Sequence, residues 1–200
     1  MRPPLIAACL AGLSLACAQR FRLGPSQAPR SPTALHLTFT ATSDSFQRAT
    51  LEYDSLWIRE GARMTRSLET VAGLWFAEIG DTNIRATVIE GVSNSGYREK
   101  PMQLRASYPI ATKKATLMHE LGHRLQSDLF RASENDHPFL FLWLYDAWVD
   151  AYGEDFAREQ VQVEKRRGGV YPAAWDSALA LSRARRAERW DSVRASRLRR

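Results

Sequence analysis

The segment ATKKATLMHELGHRLQSDLF, residues 111 to 130, sets Leu117, Leu121, Leu125 and Leu129 four residues apart. A spacing of four returns to nearly the same side of an α-helix, so these leucines form one apolar stripe that must be buried against another element. His119 and His123, two of the chain's four histidines, share that spacing and stand one turn apart on a neighbouring face. Glu120 follows the first histidine directly. The fold therefore has to supply a core for this helix while accommodating two imidazoles and a carboxylate beside it.

The partners for that helix are legible in changes of apolar period. Leu35, Leu37 and Phe39 alternate, as do Ile84, Ala86 and Val88 within NIRATVIEGV, and both runs read as strands with one buried face. The second is closed by the turn-prone Ser93 to Gly96, and MQLRASY, from Met102, is a further extended stretch able to pair with it. Between Phe46 and Phe76 the apolar spacing lengthens to a helical one, with Ser43 or Asp44 as a cap, which fits either one helix or two divided at Gly61. A dense apolar run from about Pro138 to Glu164 predicts a second buried helix, interrupted by carboxylates. The class is α+β: a small sheet packed on the histidine helix and on a second, carboxylate-bearing helix.

Both ends of the chain differ from this middle. Arg2 followed by the apolar run Leu5 to Ala16 resembles an export signal, too short for a stable span of about 20 residues. Residues 1–17 are read as that leader. Leu13 to Cys17 resembles a lipobox, which makes Cys17 a candidate lipidation site and is the favoured reading, while Ala16-Cys17-Ala18 also fits cleavage to a free exported form. Residues 18–33, rich in Pro, Ser and Arg, read as a flexible linker, 34–172 as the folded domain and 173–200 as a basic C-terminal helix or tail. From Lys165 onward there are eleven Lys or Arg against Asp176, Glu188 and Asp191, a net of +8; the whole chain carries +6, so the preceding residues sum to −2. The basic end suits attraction to an anionic lipid or cell-wall surface; nucleic acid is not an expected partner of an exported chain.

The two cysteines, Cys9 and Cys17, both lie in the leader, which excludes a disulfide framework or a thiolate-held metal in the domain. Any ion must be held by His, Asp or Glu. On one helix, His119 and His123 can each direct a ring nitrogen at a single ion, and Glu120 beside them can take a proton from water, the chemistry of metal-dependent hydrolysis. The pattern arises by chance in roughly one of two hundred chains of this composition.

At these residues, across about 84 to 155, the sequence resembles the zincin metallopeptidases. The resemblance implies a zinc cofactor, Glu120 as general base, a peptide or protein substrate, and a sheet edge, from NIRATVIEGV or MQLRASYP, that binds an extended peptide. A catalytic zinc generally needs a third protein ligand. Asp146, 23 residues after His123 in YDAWVDAYGED, resembles the downstream carboxylate ligand of thermolysin-like gluzincins, and Asp150, one turn later, the aspartate that there hydrogen-bonds a ligand histidine. That family uses glutamate where this chain has Asp146; other zincins have aspartate ligands with a nearby Tyr-Gly, which Tyr152-Gly153 resembles. His137 and Glu154 are alternative ligands, and His137 is also a candidate transition-state donor. Tyr145 and Tyr152 are candidate carbonyl polarisers and His36 is read as structural. The expectation is an exported zinc peptidase of the cell envelope, lipid-anchored or periplasmic; the alternative is a noncatalytic envelope protein with a degenerate or structural metal site.

Overall fold

A computed structural model of the protein describes residues 30–96, 99–131 and 134–199. The leader, with Cys17, and most of the linker lie outside the described residues. Three parallel strands, β1 (His36–Ala41), β2 (Asn83–Ile89) and β3 (Met102–Arg105), form a sheet in that order. His36 pairs with Asn83 and Ala41 with Val88; Ala86 pairs with Met102 and Ile89 with Arg105. The inward residues Leu37, Ile84, Ala86, Val88, Met102 and Leu104 are buried, as the alternation predicts.

The β1–β2 crossover contains one long helix, α1 (Gln47–Ala72), and a single short turn of helix, α2 (Phe76–Ile79). Gly61 does not divide α1: the space a Cβ would occupy is filled by the Trp57 ring, whose Cδ2 lies 2.7 Å from it. Ser43 caps the 3-10 turn that leads into α1, accepting from the Ser45 N–H. The β2–β3 connection folds back along the outside of β3, where Asn94 and Gln103 exchange backbone hydrogen bonds of 3.0 and 2.8 Å in an antiparallel bridge. The stretch expected only to turn thus also forms an outer rim to the sheet, and NIRATVIEGV is central, with β1 and β3 on its two sides.

Helix α3 (Ile110–Leu125) carries the leucine stripe into the core, with Leu117, Leu121 and Leu125 buried. It packs on α4 (His137–Tyr152) at Gly122, where a Cβ would come within 2.8 Å of Leu140 and 3.2 Å of Trp143. The long helix expected over 138–164 is two: at Gly153, φ is 87°, a conformation other residues adopt only under strain, and α5 (Glu154–Lys165) starts there in a new direction of the chain.

The C-terminal segment is also two helices, α6 (Tyr171–Leu179) and α7 (Arg183–Arg197), with Ser182 capping the second. The expected boundary between 172 and 173 falls inside α6, and residues 31–200 form one compact unit. The segment is not a tail because its large aromatics belong to the core: Trp175 stacks on Phe141 with ring centres 3.9 Å apart, and Trp190 is buried with its Nε1–H donating to the Ala72 carbonyl at 2.7 Å. Among the described residues no helix is long and apolar enough to cross a membrane.

Candidate metal centre

His119 and His123 lie on adjacent turns of α3, and His137 opens α4. One ring nitrogen from each lies within 4.8 Å of the others, close enough to hold a metal ion. In sequence His137 directly precedes a proline, a setting that suits a loop and favours Asp146 as the third ligand. Here Pro138 is in the first turn of α4, where its fixed φ suits helix entry, so His137 is held on a rigid element.

Each imidazole is oriented through its Nδ1. His119 Nδ1 is 2.7 Å from Glu164 Oε1, His123 Nδ1 is 2.8 Å from Asp136 Oδ2, and His137 Nδ1 is 2.9 Å from Asn135 Oδ1. The acceptors are themselves held: Glu164 receives the Trp175 indole N–H at 2.9 Å, and Asp136 receives the Gln126 amide at 2.8 Å, while Gln126 in turn accepts from Trp143 at 3.1 Å. Burial opposes the charge of both carboxylates, but the facing histidines, with Arg167 and Trp175 at Glu164 and Gln126 at Asp136, outweigh it and hold both below the usual carboxylate range. An ionised carboxylate only accepts, so Nδ1 of His119 and of His123 must each carry a proton.

In the neutral form of each ring that assignment leaves Nε2 with a bare lone pair, and the two Nε2 atoms are 3.0 Å apart. Two lone pairs at that distance repel unless a cation lies between them. Zinc–nitrogen bonds of 2.0–2.1 Å at tetrahedral angles separate two donors by roughly 3.3 Å, so the spacing suits a shared ion. Without one, a proton meets the same need. Burial disfavours a charge on His123, yet Asp136, Glu120 and Glu164 raise its pKa above the ordinary histidine value. His137 goes the other way, pushed down to about 3 by burial and by the other two histidines, so that its ring is neutral and available as a ligand.

The three histidines and Glu120 line a cavity of about 470 Å³, walled by Val92 to Gly96 of the sheet rim on one side and by Phe130, Arg131 and Glu134 on the other. Glu120 is 3% exposed, and among the described residues no protein group hydrogen-bonds its carboxylate. Burial raises its pKa against the pull of His119 and His123. Tyr171, at the start of α6, reaches the same cavity with its hydroxyl 3.0 Å from His137 Nε2 and its ring stacked against His119; burial pushes its pKa up to about 12, so it is a donor at neutral pH.

The other expected site residues lie elsewhere. Asp146 is buried on α4 but accepts a two-pronged bond from Arg186, at 2.7 and 3.0 Å, and stands outside the histidine cluster. Asp150 accepts from Ser67 at 2.6 Å and touches no histidine. Glu154 is exposed at the start of α5, 3.5 Å from Arg158. Tyr152 lies under Arg63 and Lys114, and Tyr145 under Arg186. His36 is an exposed first residue of β1.

Glu164, Asp136, Asn135 and Tyr171 were not singled out from sequence. Two signals were present: Glu164 falls on the face of α5 that buries Ala157, Gln160 and Val161, and Asp136 directly precedes the alternative ligand His137. Compared with known proteins, the chain matches no family model, no curated protein and no solved structure.

Proposed function

We propose that the protein is a zinc-dependent peptidase of the zincin type, with His119, His123 and His137 as ligands and Glu120 as general base. The observation that carries the reading is the pair of Nε2 atoms facing one another at 3.0 Å beside a buried carboxylate to which, among the described residues, no protein group donates a hydrogen bond. A purely structural ion needs no such carboxylate, and a donor set of three imidazoles with no thiol suits zinc with one position open.

Zinc held there would act as a Lewis acid, acidifying an attacking water and polarising the substrate carbonyl. Glu120 takes the proton of that water at its carboxylate; its raised pKa makes it a better base and then a competent acid, returning the proton to the leaving amine nitrogen. The Tyr171 hydroxyl, next to His137, donates to the acyl oxygen as negative charge develops on it. Glu164 and Asp136 keep the protons of His119 and His123 on Nδ1, so that both Nε2 atoms remain ligands.

A peptide substrate is supported by the rim. The 92–96 segment takes the outer side of β3 through Asn94, and Ser93 and Ser95 line the cavity beside the histidines, where an extended chain can lie along them. We assign the apolar leader to export and Cys17 to lipid anchoring, which Cys17→Ala tests by whether the protein leaves the membrane fraction.

Glu120→Gln in the full-length protein tests the reading. It should bind zinc as the wild type does and lose about 10²- to 10⁴-fold in cleavage of a mixed peptide library, the range for a positioned general base. Equal cleavage by the two proteins rejects the mechanism, and absence of zinc from the wild type after zinc-replete purification rejects the metal centre.

A further inference from the structure

The C-terminal helix reaches the segment that carries His137 through Arg197. Arg186, Trp190 and Arg197 of α7 fall on one face, at intervals of four and seven residues. The first two anchor the helix, on Asp146 and on the Ala72 carbonyl. The third grips Glu134 with both prongs of its guanidinium, at 2.9 and 3.1 Å. Its planar head also lies 5.0 Å from the centre of the Phe130 ring and 5.9 Å from that of Phe139, two rings stacked on each other at 4.9 Å.

Glu134 is two residues before Asp136, which orients His123, and three before His137. Phe139 is two residues after His137, on the first turn of α4. Arg197 therefore holds the chain on both sides of the third histidine. A fork that binds a carboxylate at two points fixes direction as well as distance, and a lysine cannot reproduce it. The Arg197 side chain is 18% exposed and that of Glu134 33%, so solvent screens the pair only in part.

We propose that Arg197 is a positioning residue for the metal centre: the C-terminal helix acts as a strut that sets where His137 stands relative to His119 and His123. The inference rests on the reading that the three histidines bind a metal. Loss of the strut should leave three ligands on the chain but one of them misplaced, with a cost near the low end of the 10- to 100-fold range for groups that orient ligands from outside.

The test measures cobalt(II) binding by the visible ligand-field spectrum, with zinc competition for affinity, in full-length wild type, Arg197→Met, Arg197→Ala and Glu134→Gln. Met retains apolar cover over Phe130 and Phe139 while removing the fork, which guards against a variant that fails to fold. Each is also made with His137→Ala. If Arg197 acts through His137, affinity falls about tenfold in the single variants, the spectrum shifts toward that of His137→Ala, and the same changes cost nothing further once His137 is gone. Wild-type affinity and spectrum in Arg197→Met and Glu134→Gln would overturn the proposal and leave the metal centre standing. An equal loss with and without His137 would also overturn it, showing a general effect on the fold. A wild type that takes up no cobalt would remove both readings together.

Discussion

Helix α4 begins with a histidine that faces a cavity and carries, nine residues on, an aspartate that faces an arginine. Asp146 and His137 were rival candidates for one role, and the contrast shows what burial demands. A carboxylate in a low-dielectric interior needs a counter-charge, which for Asp146 the resemblance to gluzincins put at a metal ion. The demand is met by the guanidinium of Arg186, from a segment that reads as a solvated basic tail. At His137 the logic is reversed: the neutral ring is cheap to bury, and what marks it is the company of two more imidazoles whose protons are fixed elsewhere.

Crossed substitutions give the largest effects and separate the two regions. His137→Ala should weaken zinc binding by more than about 100-fold, beyond the range for groups that merely orient a ligand, with little change in metal-free stability. Asp146→Ala should do the opposite: zinc affinity per folded molecule is unchanged, but the chain loses about 3–5 kcal/mol because Arg186 is left buried without its partner. Zinc titration and urea unfolding of the metal-free variants check both. The reverse outcome, with Asp146→Ala losing zinc and His137→Ala keeping it, would restore the thermolysin-like ligand set.

A middle tier concerns carboxylates that do touch histidines. Glu164→Gln and Asp136→Asn should each lower zinc affinity by about 10- to 100-fold, since the amide can present its N–H to Nδ1 and favour the proton on Nε2, where the ion must bind. Replacing Asp146 and Arg186 together, by Leu and Met, should leave zinc affinity untouched and restore most of the stability lost in Asp146→Ala, because an apolar pair of similar volume needs no counter-charge. Nitrogen-15 shifts of the ring nitrogens would show the tautomer change directly. Unchanged tautomers in Glu164→Gln would remove the argument that Glu164 fixes the ligand nitrogen of His119.

What could be read from sequence follows the range of the interactions. The α+β class, β1, β2 and α3 with its histidines and Glu120 were legible because each rests on a local period of two or four. The split at Gly153 was missed because apolar residues continue on both sides of it, and that near Ser182 because the Ala, Leu and Arg around it are all strong helix formers. The rest of the centre comes from contacts between distant segments: Glu164 is 45 residues from His119, and Tyr171 is 34 from His137. Charge counting placed the C-terminal arginines in solvent. In the structure Arg186 is buried, Arg194 donates to the Gly73 carbonyl and Arg197 grips Glu134. Composition cannot distinguish an arginine that faces water from one that faces a carboxylate.

Asp150 gives the smallest expected effect and the sharpest check on the contrast along α4. One turn beyond Asp146, it was expected to orient a ligand histidine, which would make Asp150→Ala cost about 10- to 100-fold in zinc affinity. In the structure its carboxylate accepts a 2.6 Å bond from Ser67, whose hydroxyl also lies 2.9 Å from the Ala147 carbonyl. The Ser67 proton therefore has a second acceptor when Asp150 is removed, so no buried donor is stranded, and the loss is limited to about 0.5–1 kcal/mol of stability. Zinc affinity and peptide cleavage should match the wild type. Ser67→Ala should cost a similar amount, and the double variant little more than either alone, since both remove the same bond. A tenfold loss of zinc in Asp150→Ala at unchanged stability would mean that the carboxylate half of α4 does communicate with the histidines, and the separation of structural and ligand-bearing ends would fail.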